Sequence, residues 1–332
     1  MDRYATMQAW LSETLGGARH TLSDPIGDAS QRRYFRLRLD DGSTRIVMDA
    51  PPEHTDCRPF IQVAALLAPA VRVPQILARN LEAGFLLLSD LGDTDYQTAL
   101  AAADETEAAR LYRAALDSLV ALQTAAGAEQ LPRYDATALG VDLDRFPEWF
   151  IGRHLGQTLA EADLAAWQRC RAVLLSRLAA QPPVLVHFDY HSRNLLTGEQ
   201  PGVIDFQDAR YGPAIYDLAS LLKDVYTVRP EEFRLDLAIR YWEAARRAGV
   251  ALSDDFGEFY RDFEWTGVYR HLRTLGTFAR LAHRDGKTRY LDDMPVALDY
   301  LRETCARYVE LHPLYKLINR LTGFSPAVGY TF

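Results

Sequence analysis

VLVHFDYHSRNLLTGEQPGVIDFQDARYGPAIYDLASLL, residues 184–222, decides the fold of this chain. Val184, Leu185 and Val186 read as a buried strand that delivers His187 and Asp189, two positions apart, to one side of the chain. Asn194 follows Asp189 by five positions. Leu195-Leu196 and Val203-Ile204 read as two short strands joined by a turn rich in Gly198, Pro201 and Gly202. Paired as a hairpin, they set Asn194 at the start of one beside Asp205 at the end of the other. A carboxamide and a carboxylate then share one hairpin mouth beside the Asp189 loop, a donor set that suits a hard cation bound through oxygen. Asp217, a few residues after Pro213, suits a helix N-terminus. Singly, each is an ordinary core histidine or turn-forming aspartate; together and in this order they point to chemistry.

The order H-x-D-x-x-x-x-N followed by D-F resembles the kinase catalytic loop and its metal-binding D-F-G, in the variant form of aminoglycoside phosphotransferases and related small-molecule kinases. The resemblance implies an α+β, bilobal protein-kinase-like fold, with a small sheet-containing N-lobe and a larger, mostly helical C-lobe. It implies Asp189 as base or orienter of an acceptor hydroxyl, His187 as brace of the loop, Asn194 and Asp205 as Mg2+ ligands, and ATP as donor. Asp217 matches an aspartate that opens a helix and hydrogen-bonds the catalytic loop. Phosphoryl transfer asks little covalent help of a protein, so cations on the phosphates and one carboxylate aimed at the nucleophile meet most of the need. A competing reading takes His187, Asp189 and His191 as metal ligands on one strand face, with Asp205 and Asp208 completing a two-metal hydrolase cage. It leaves Asn194 and the two-lobed layout unexplained.

Working outward, Met7, Trp10, Leu11 and Leu15 recur at helical spacing before Gly16-Gly17, a short amphipathic helix expected to cover a sheet edge. In QRRYFRLRLDDGSTRIVMDAPP the period changes to two around Asp40-Asp41-Gly42-Ser43, a hairpin signature closed by Pro51-Pro52. PFIQVAALLAP reads as a helix stopped by proline and FLLLSDLG as a last, buried strand. Residues 1–91 thus read as a small sheet-containing lobe, which the resemblance implies is the nucleotide-binding lobe. Beyond Gly92, acid-capped alanine-rich stretches such as DETEAARLYRAALDSLVALQ mark residues 92–332 as a mostly helical lobe, in which the resemblance implies the catalytic loop and acceptor site.

The chain of 332 residues is 48% hydrophobic and 25% charged, ordinary globular values that leave ample chain for a core. A net charge of −8 lacks the basic surface that nucleic acid or an anionic membrane would need, so neither is expected as a partner. Three scattered cysteines, Cys57, Cys170 and Cys305, make no disulfide framework or metal clip. With no basic n-region and no long apolar run, the expected location is the cytoplasm. No obligate protein partner is evident.

One departure stands out. Kinases carry a lysine on the third strand, held by a helix glutamate; here RIVMDAP puts Met48 or Asp49 at that place, and Gln62 stands where the glutamate would. Losing both members together is coherent, since a lone buried charge is costly. Arg33, which shares strand parity with Phe35, Leu37 and Leu39, is a candidate replacement gripping phosphate, with a solvated strand-edge arginine as the alternative. Gly27-Asp28-Ala29-Ser30 sits where a nucleotide-covering loop belongs, making Ser30 a nucleotide contact, and adenine is expected near Leu88 to Asp90.

Across nearly its whole length the chain resembles a closer family, the bacterial N-acetylmuramate/N-acetylglucosamine anomeric kinases. The carrying stretches are GDASQRRYFRL, VMDAPPE, LLLSDLGD, HFDYHSRNLL and HLRTLGTFARLAHRDGK. These kinases also dispense with the strand lysine. The resemblance implies phosphorylation of the sugar's C1 hydroxyl in cell-wall recycling, giving a sugar 1-phosphate for UDP-sugar synthesis. Such a sugar needs an aromatic platform and an arginine. Trp149, Arg153 and His154 in RFPEWFIGRHLG, together with Arg210 and Tyr211, are candidates, and the helix bearing Tyr269, Arg270, His271 and Arg273 is another possible wall. An aminoglycoside, choline or homoserine acceptor, or a catalytically silent nucleotide-binding scaffold, are the alternatives.

Overall fold

The alternation of residues 33–49 becomes an antiparallel hairpin, β2 (Arg33–Leu39) and β3 (Thr44–Asp49), that organises the N-terminal sheet. Its turn is held by Ser43 N donating to Asp41 Oδ1 at 2.8 Å, with Gly42 at φ +83°, a conformation that favours glycine. The computed structural model describes residues 2–26 and 32–325. Around the hairpin lie α1 (Arg3–Thr14), β1 (His20–Leu22), α2 (Arg58–Leu67), β4 (Ile76–Asn80) and β5 (Phe85–Ser89). The sheet runs β1-β2-β3-β5-β4, every pair antiparallel. β5 is last in sequence but bonded on both sides, and Phe85, Leu86, Leu87 and Leu88 are all buried, which explains its unbroken apolar run.

The expectation that α1 covers a sheet edge is corrected. Met7 and Leu11 join Phe35, Leu37, Val47, Phe85 and Leu87 in one cluster, so α1 lies across the face of β2, β3 and β5. A face of three strands offers far more apolar area than an edge, at roughly 25 cal/mol per Å² buried.

The remaining elements are α3 (Tyr96–Ala102), α4 (Glu105–Gln123), α5 (Ala136–Leu143), a π-helical segment (Phe146–His154), α6 (Glu161–Ala179), β6 (Pro183–Val186), β7 (Leu195–Leu196), β8 (Gly202–Val203), β9 (Arg210–Pro213), α7 (Tyr216–Leu222), α8 (Glu231–Arg247), α9 (Phe256–Asp285), α10 (Met294–Cys305) and α11 (His312–Leu321). The chain divides into two compact units, Met1–Tyr96 with Asn194–Asp208, and Gln97–Arg193 with Ala209–Phe332. The expected boundary places all of 92–332 in the second lobe. The β7–β8 hairpin belongs instead with the sheet unit: Val203 N donates to Arg72 O at 2.8 Å, and Thr197 N to Thr94 O at 2.9 Å. These long-range backbone bonds leave no periodic trace in sequence.

In the helical unit, α9 is the spine. Its 30 residues are capped at the start by Asp255, whose side chain accepts from Glu258 N, and at the end by Gly286 in the left-handed conformation. It packs against α6, α7, α10 and the π-helical segment. Among the described residues no helix is long and apolar enough to cross a membrane.

Candidate active site

The loop after β6 is built in the helical unit. Val184, Leu185 and Val186 are buried and pair with β9, carrying the chain to a wholly buried His187. Asp217, in the first turn of α7 and wholly buried, accepts from two successive amides: His187 N at 2.5 Å and Phe188 N at 3.1 Å. These bonds hold Phe188 at φ +85°, a conformation that costs a non-glycine residue of order 1–3 kcal/mol. Ring packing adds support, with Tyr216 stacked at 5.7 Å and Tyr134 edge-on at 5.1 Å. The reversal turns Asp189 away from the strand direction. His187 Nδ1 then accepts from Asp189 N at 3.3 Å, so the imidazole braces the loop as an acceptor.

Three further ties fasten residues 190–193. Tyr190 OH donates to Ala115 O at 2.8 Å, Ser192 N and Oγ both donate to Asp224 Oδ2 at 3.0 and 2.6 Å, and Arg193 Nε donates to Gln97 Oε1 at 2.8 Å. The Asp189 carboxylate, about one-third exposed, lies 3.6 Å from Arg273 Nη1. Burial works to raise its pKa, but the guanidinium groups of Arg273 and Arg270, with His191 and His187, outweigh that and hold it below the ordinary carboxylate range. Arg270 itself donates to Phe188 O at 3.0 Å. Asp189 is therefore a fixed, ionised acceptor.

In the sheet unit, β7 and β8 pair as Leu195 with Val203 and Leu196 with Gly202, and Ile204 N donates to Asn194 O at 3.1 Å. The register brings residues 194 and 205 to the same end of the hairpin, as the spacing predicts. Asp205 is exposed, at φ +62°, and its Oδ1 accepts from Gln207 Nε2 at 2.9 Å. Phe206 anchors the turn, buried and 4.8 Å from Phe60 of α2. Arg72 pins the hairpin loop through Thr197 O at 3.4 Å and Gln200 O at 3.2 Å. The Tyr34 phenol, from the sheet face opposite α1, is raised above its usual pKa by burial and then by the Asp205 charge.

Among the described residues no three His, Cys, Asp or Glu side chains gather as a metal cage of the kind a two-metal hydrolase uses. An Asn-Asp pair fits the alternative well: a small hard cation takes one or two protein oxygens and fills the rest of its shell with phosphate and water.

Arg33 has a partner that its strand parity does not announce. It pairs directly with Asp49 across β2–β3, and its guanidinium bonds Asp49 Oδ2, with Nη2 at 2.5 Å and Nε at 3.0 Å. Parity with Phe35 and Leu37 puts it on the face covered by α1, where Arg3 also bonds Asp49 through Nε at 2.7 Å. Arg33 is thus a partner of a buried carboxylate. Gln62 is exposed on α2, whose buried side holds Phe60, Val63, Ala64 and Leu67. Ser30 and its loop lie outside the described residues.

Leu88 sits inside β5, opposite Ile46 and Ile76, and the Asp90 carboxylate is bound by Arg36, with Nε at 2.8 Å. Arg210 and Tyr211 form part of β9; Tyr211 exchanges backbone bonds with Pro132 and Tyr134, and the Arg210 guanidinium lies 5.8 Å from the Phe188 ring. Trp149 is half-buried and Arg153 exposed on the π-helical segment. His154 Nδ1 lies 3.1 Å from His283 Nε2, and burial, then His283, lowers its pKa. Sequence reasoning misses Asp224 and Asp142. The second accepts from Tyr134 OH at 2.7 Å and lies 3.4 Å from Arg273 Nε. Only a buried aspartate in an apolar helical stretch, as in LGVDL, hints at it.

Known proteins resemble this chain closely. Residues 21–250 match the model of the family described as Phosphotransferase enzyme family. An N-acetylmuramate/N-acetylglucosamine kinase of Neisseria meningitidis serogroup B is 45% identical over 100% of both chains. Its namesake in Pseudomonas aeruginosa is 48% identical, covering 89% of this chain and 86% of its own. Among solved structures, the GDP complex of aminoglycoside 2'-phosphotransferase-IIIa superposes with a TM-score of 0.64 at 14% identity, covering 90% of this chain and 98% of the other. That likeness establishes the protein-kinase-like fold, and with the matched family and the two relatives it follows that this chain belongs to the phosphotransferase enzyme family, in the group of N-acetylmuramate/N-acetylglucosamine kinases.

Proposed function

We propose that the protein transfers the terminal phosphoryl group of ATP to the anomeric C1 hydroxyl of N-acetylmuramate and N-acetylglucosamine, in the cytoplasm, yielding sugar 1-phosphates for UDP-sugar synthesis. The observation that carries the reading is the Asp189 carboxylate, kept ionised by Arg273 and Arg270 on a loop braced by His187 and Asp217. The names of the relatives supply the acceptor. A hemiacetal hydroxyl is more acidic than an ordinary alcohol, so Asp189 need only orient it and accept its proton late. His187 keeps the loop amide engaged and takes no part in proton transfer.

Asn194 and Asp205 would hold Mg2+, which when bound neutralises charge on the nucleotide phosphates. Asp205 suits the task because it is exposed and its carboxylate is steadied by Gln207. With the strand lysine missing and Arg33 committed to Asp49, the phosphates depend on that cation and on backbone amides. Adenine is assigned to the backbone following β5, around Leu88 and Asp90, whose side chains serve the sheet and Arg36. Trp149, Arg153 and His154 are assigned to the acceptor side; Arg210 and Tyr211 shape the floor under Phe188.

Incubating the protein with ATP, Mg2+ and either sugar should give a phosphorus NMR signal of a C1 phosphate. Phosphate on another hydroxyl, or ATP hydrolysis alone, would sink the reading. The electrostatics add a second check. Arg273 is the strongest attractive charge on Asp189, so Arg273→Met should move the acid limb of the kcat/KM profile to higher pH, because the carboxylate must be ionised to accept the proton. An unmoved limb would show that Asp189 does not set it.

A further inference from the structure

Within the helical unit, α9 and the π-helical segment run side by side. At one end the backbone of Arg145 and Phe146 occupies the space a Cβ on Gly276 would need, only 2.5 Å from Arg145 C. At the other, His154 meets His283 at 3.1 Å. Both contacts advance in the same direction along sequence, so the two helices are parallel and residues 277–282 of α9 lie between the anchors. Arg273, Thr277 and Arg280 follow one another at helical spacing and form one stripe.

Guanidinium groups crowd this stripe. Arg145 Nη2 lies 2.8 Å from Asp142 Oδ1 and Arg273 Nε 3.4 Å from Asp142 Oδ2, so two cations share one carboxylate. Arg280 has no comparable anion among the described residues. Its Nε is buried without an acceptor, and the Thr277 hydroxyl is buried without a partner. Asp285, the carboxylate acting on it, is already gripped by Arg284 at 2.7 and 3.0 Å. Burial first, then Arg145 and Arg284, hold Arg280 below the usual arginine range. A buried donor and hydroxyl without partners, among like charges, form an environment that an arriving anion relieves.

We infer that Arg280, with Thr277 and Arg145, forms a subsite for a carboxylate on the acceptor, an assignment that rests on the acetamido-sugar kinase reading above. Arg273, at Asp189, and Arg280 are seven residues apart, roughly 10 Å along the helix axis. An N-acetylmuramate whose C1 hydroxyl meets Asp189 carries its lactyl carboxylate across the ring at C3, whereas N-acetylglucosamine has only a hydroxyl there. The stripe therefore sets the preference between an acidic sugar and its neutral counterpart.

The test compares kcat/KM for the two sugars. Arg280→Met should lower the ratio of N-acetylmuramate to N-acetylglucosamine at least ten-fold, mostly through KM for the acidic sugar. Arg280→Lys, which keeps the charge but loses the fork, should restore part of the ratio and serves if the methionine variant does not fold. A ratio unchanged in the variant that folds, or both sugars lost in proportion, overturns the subsite. If the wild-type protein phosphorylates neither sugar, the acceptor reading fails and takes the subsite with it, an outcome distinct from an unchanged ratio.

Discussion

Asp189→Asn is expected to lower kcat by roughly 10³-fold, the scale of a lost general base, while ATP binding survives. Asparagine has the same shape and still accepts a hydrogen bond, but it carries no charge and cannot take the acceptor's proton. The loop should keep its position, because its fastenings are elsewhere: His187 and Phe188 amides on Asp217, Tyr190 on Ala115, Ser192 on Asp224. The Arg273 guanidinium loses one attractive charge but keeps Asp142. Single-turnover measurement of sugar phosphate formation, beside calorimetric titration with ATP, separates the two effects. Near-normal transfer by the variant would remove Asp189 from the mechanism. Loss of ATP binding along with transfer would instead make the residue part of the nucleotide site.

The difference between what is readable in sequence and what is not tracks the range of the interactions. Asp40-Asp41-Gly42-Ser43 is a local signal, and the hairpin it predicts spans the residues expected. The β7–β8 hairpin and its placement of residues 194 and 205 are likewise readable from two dipeptides and a glycine-proline turn. Asp217 can be found because helix N-termini favour acids, although its bonds to two amides about thirty residues upstream cannot be read from spacing. Asp224 and Asp142 escape notice because their partners, Ser192 in one case and Tyr134 and Arg273 in the other, are not marked by any local pattern. Arg33 shows the converse. Its parity is legible, but parity says only which side a residue shares, and the shared side is the one α1 covers.

The Arg33–Asp49 pair lies at the place of the missing lysine. In the expected pattern a buried cation on β3 meets a helix glutamate. Of the two residues at that place, Asp49 is a carboxylate, 1% exposed and bonded by Arg3 and Arg33. A buried charge left unpaired would be costly, and two guanidinium groups on one carboxylate resolve that on the α1 side of the sheet. Met48, its neighbour, is buried on the other face beside Tyr34. The ion cluster ties α1 to the sheet, while Met48 puts an apolar side chain on the opposite face.

Replacing Asp217 with alanine is expected to destabilise the protein by about 3–5 kcal/mol, since two buried amides each lose their acceptor at about 1–3 kcal/mol, and Phe188 loses the bonds that hold its left-handed backbone. In a unit of this size that lowers Tm by roughly 10 °C. Asparagine should fall between, keeping one acceptor oxygen but turning an amide donor toward an amide donor. The pH dependence of the gap between wild type and Asp217→Asn is the sharper measurement. Burial pushes the Asp217 carboxyl up to about 7, against an ordinary value of 3.8, while the bonds from His187 and Phe188 pull it back only in part. With the folded-state pKa raised, the native protein holds a proton that the unfolded chain has released between those two values. The contribution of this group to stability is full below about pH 4 and is lost as pH rises through about 7. Asparagine does not titrate, and every other ionisable group is common to both proteins. The Tm advantage of wild type over Asp217→Asn should therefore shrink steadily from pH 4 to pH 7 and level off above it. A gap that stayed constant would mean the two amides keep the carboxylate ionised throughout, and a gap that widened would reverse the sign of the burial effect.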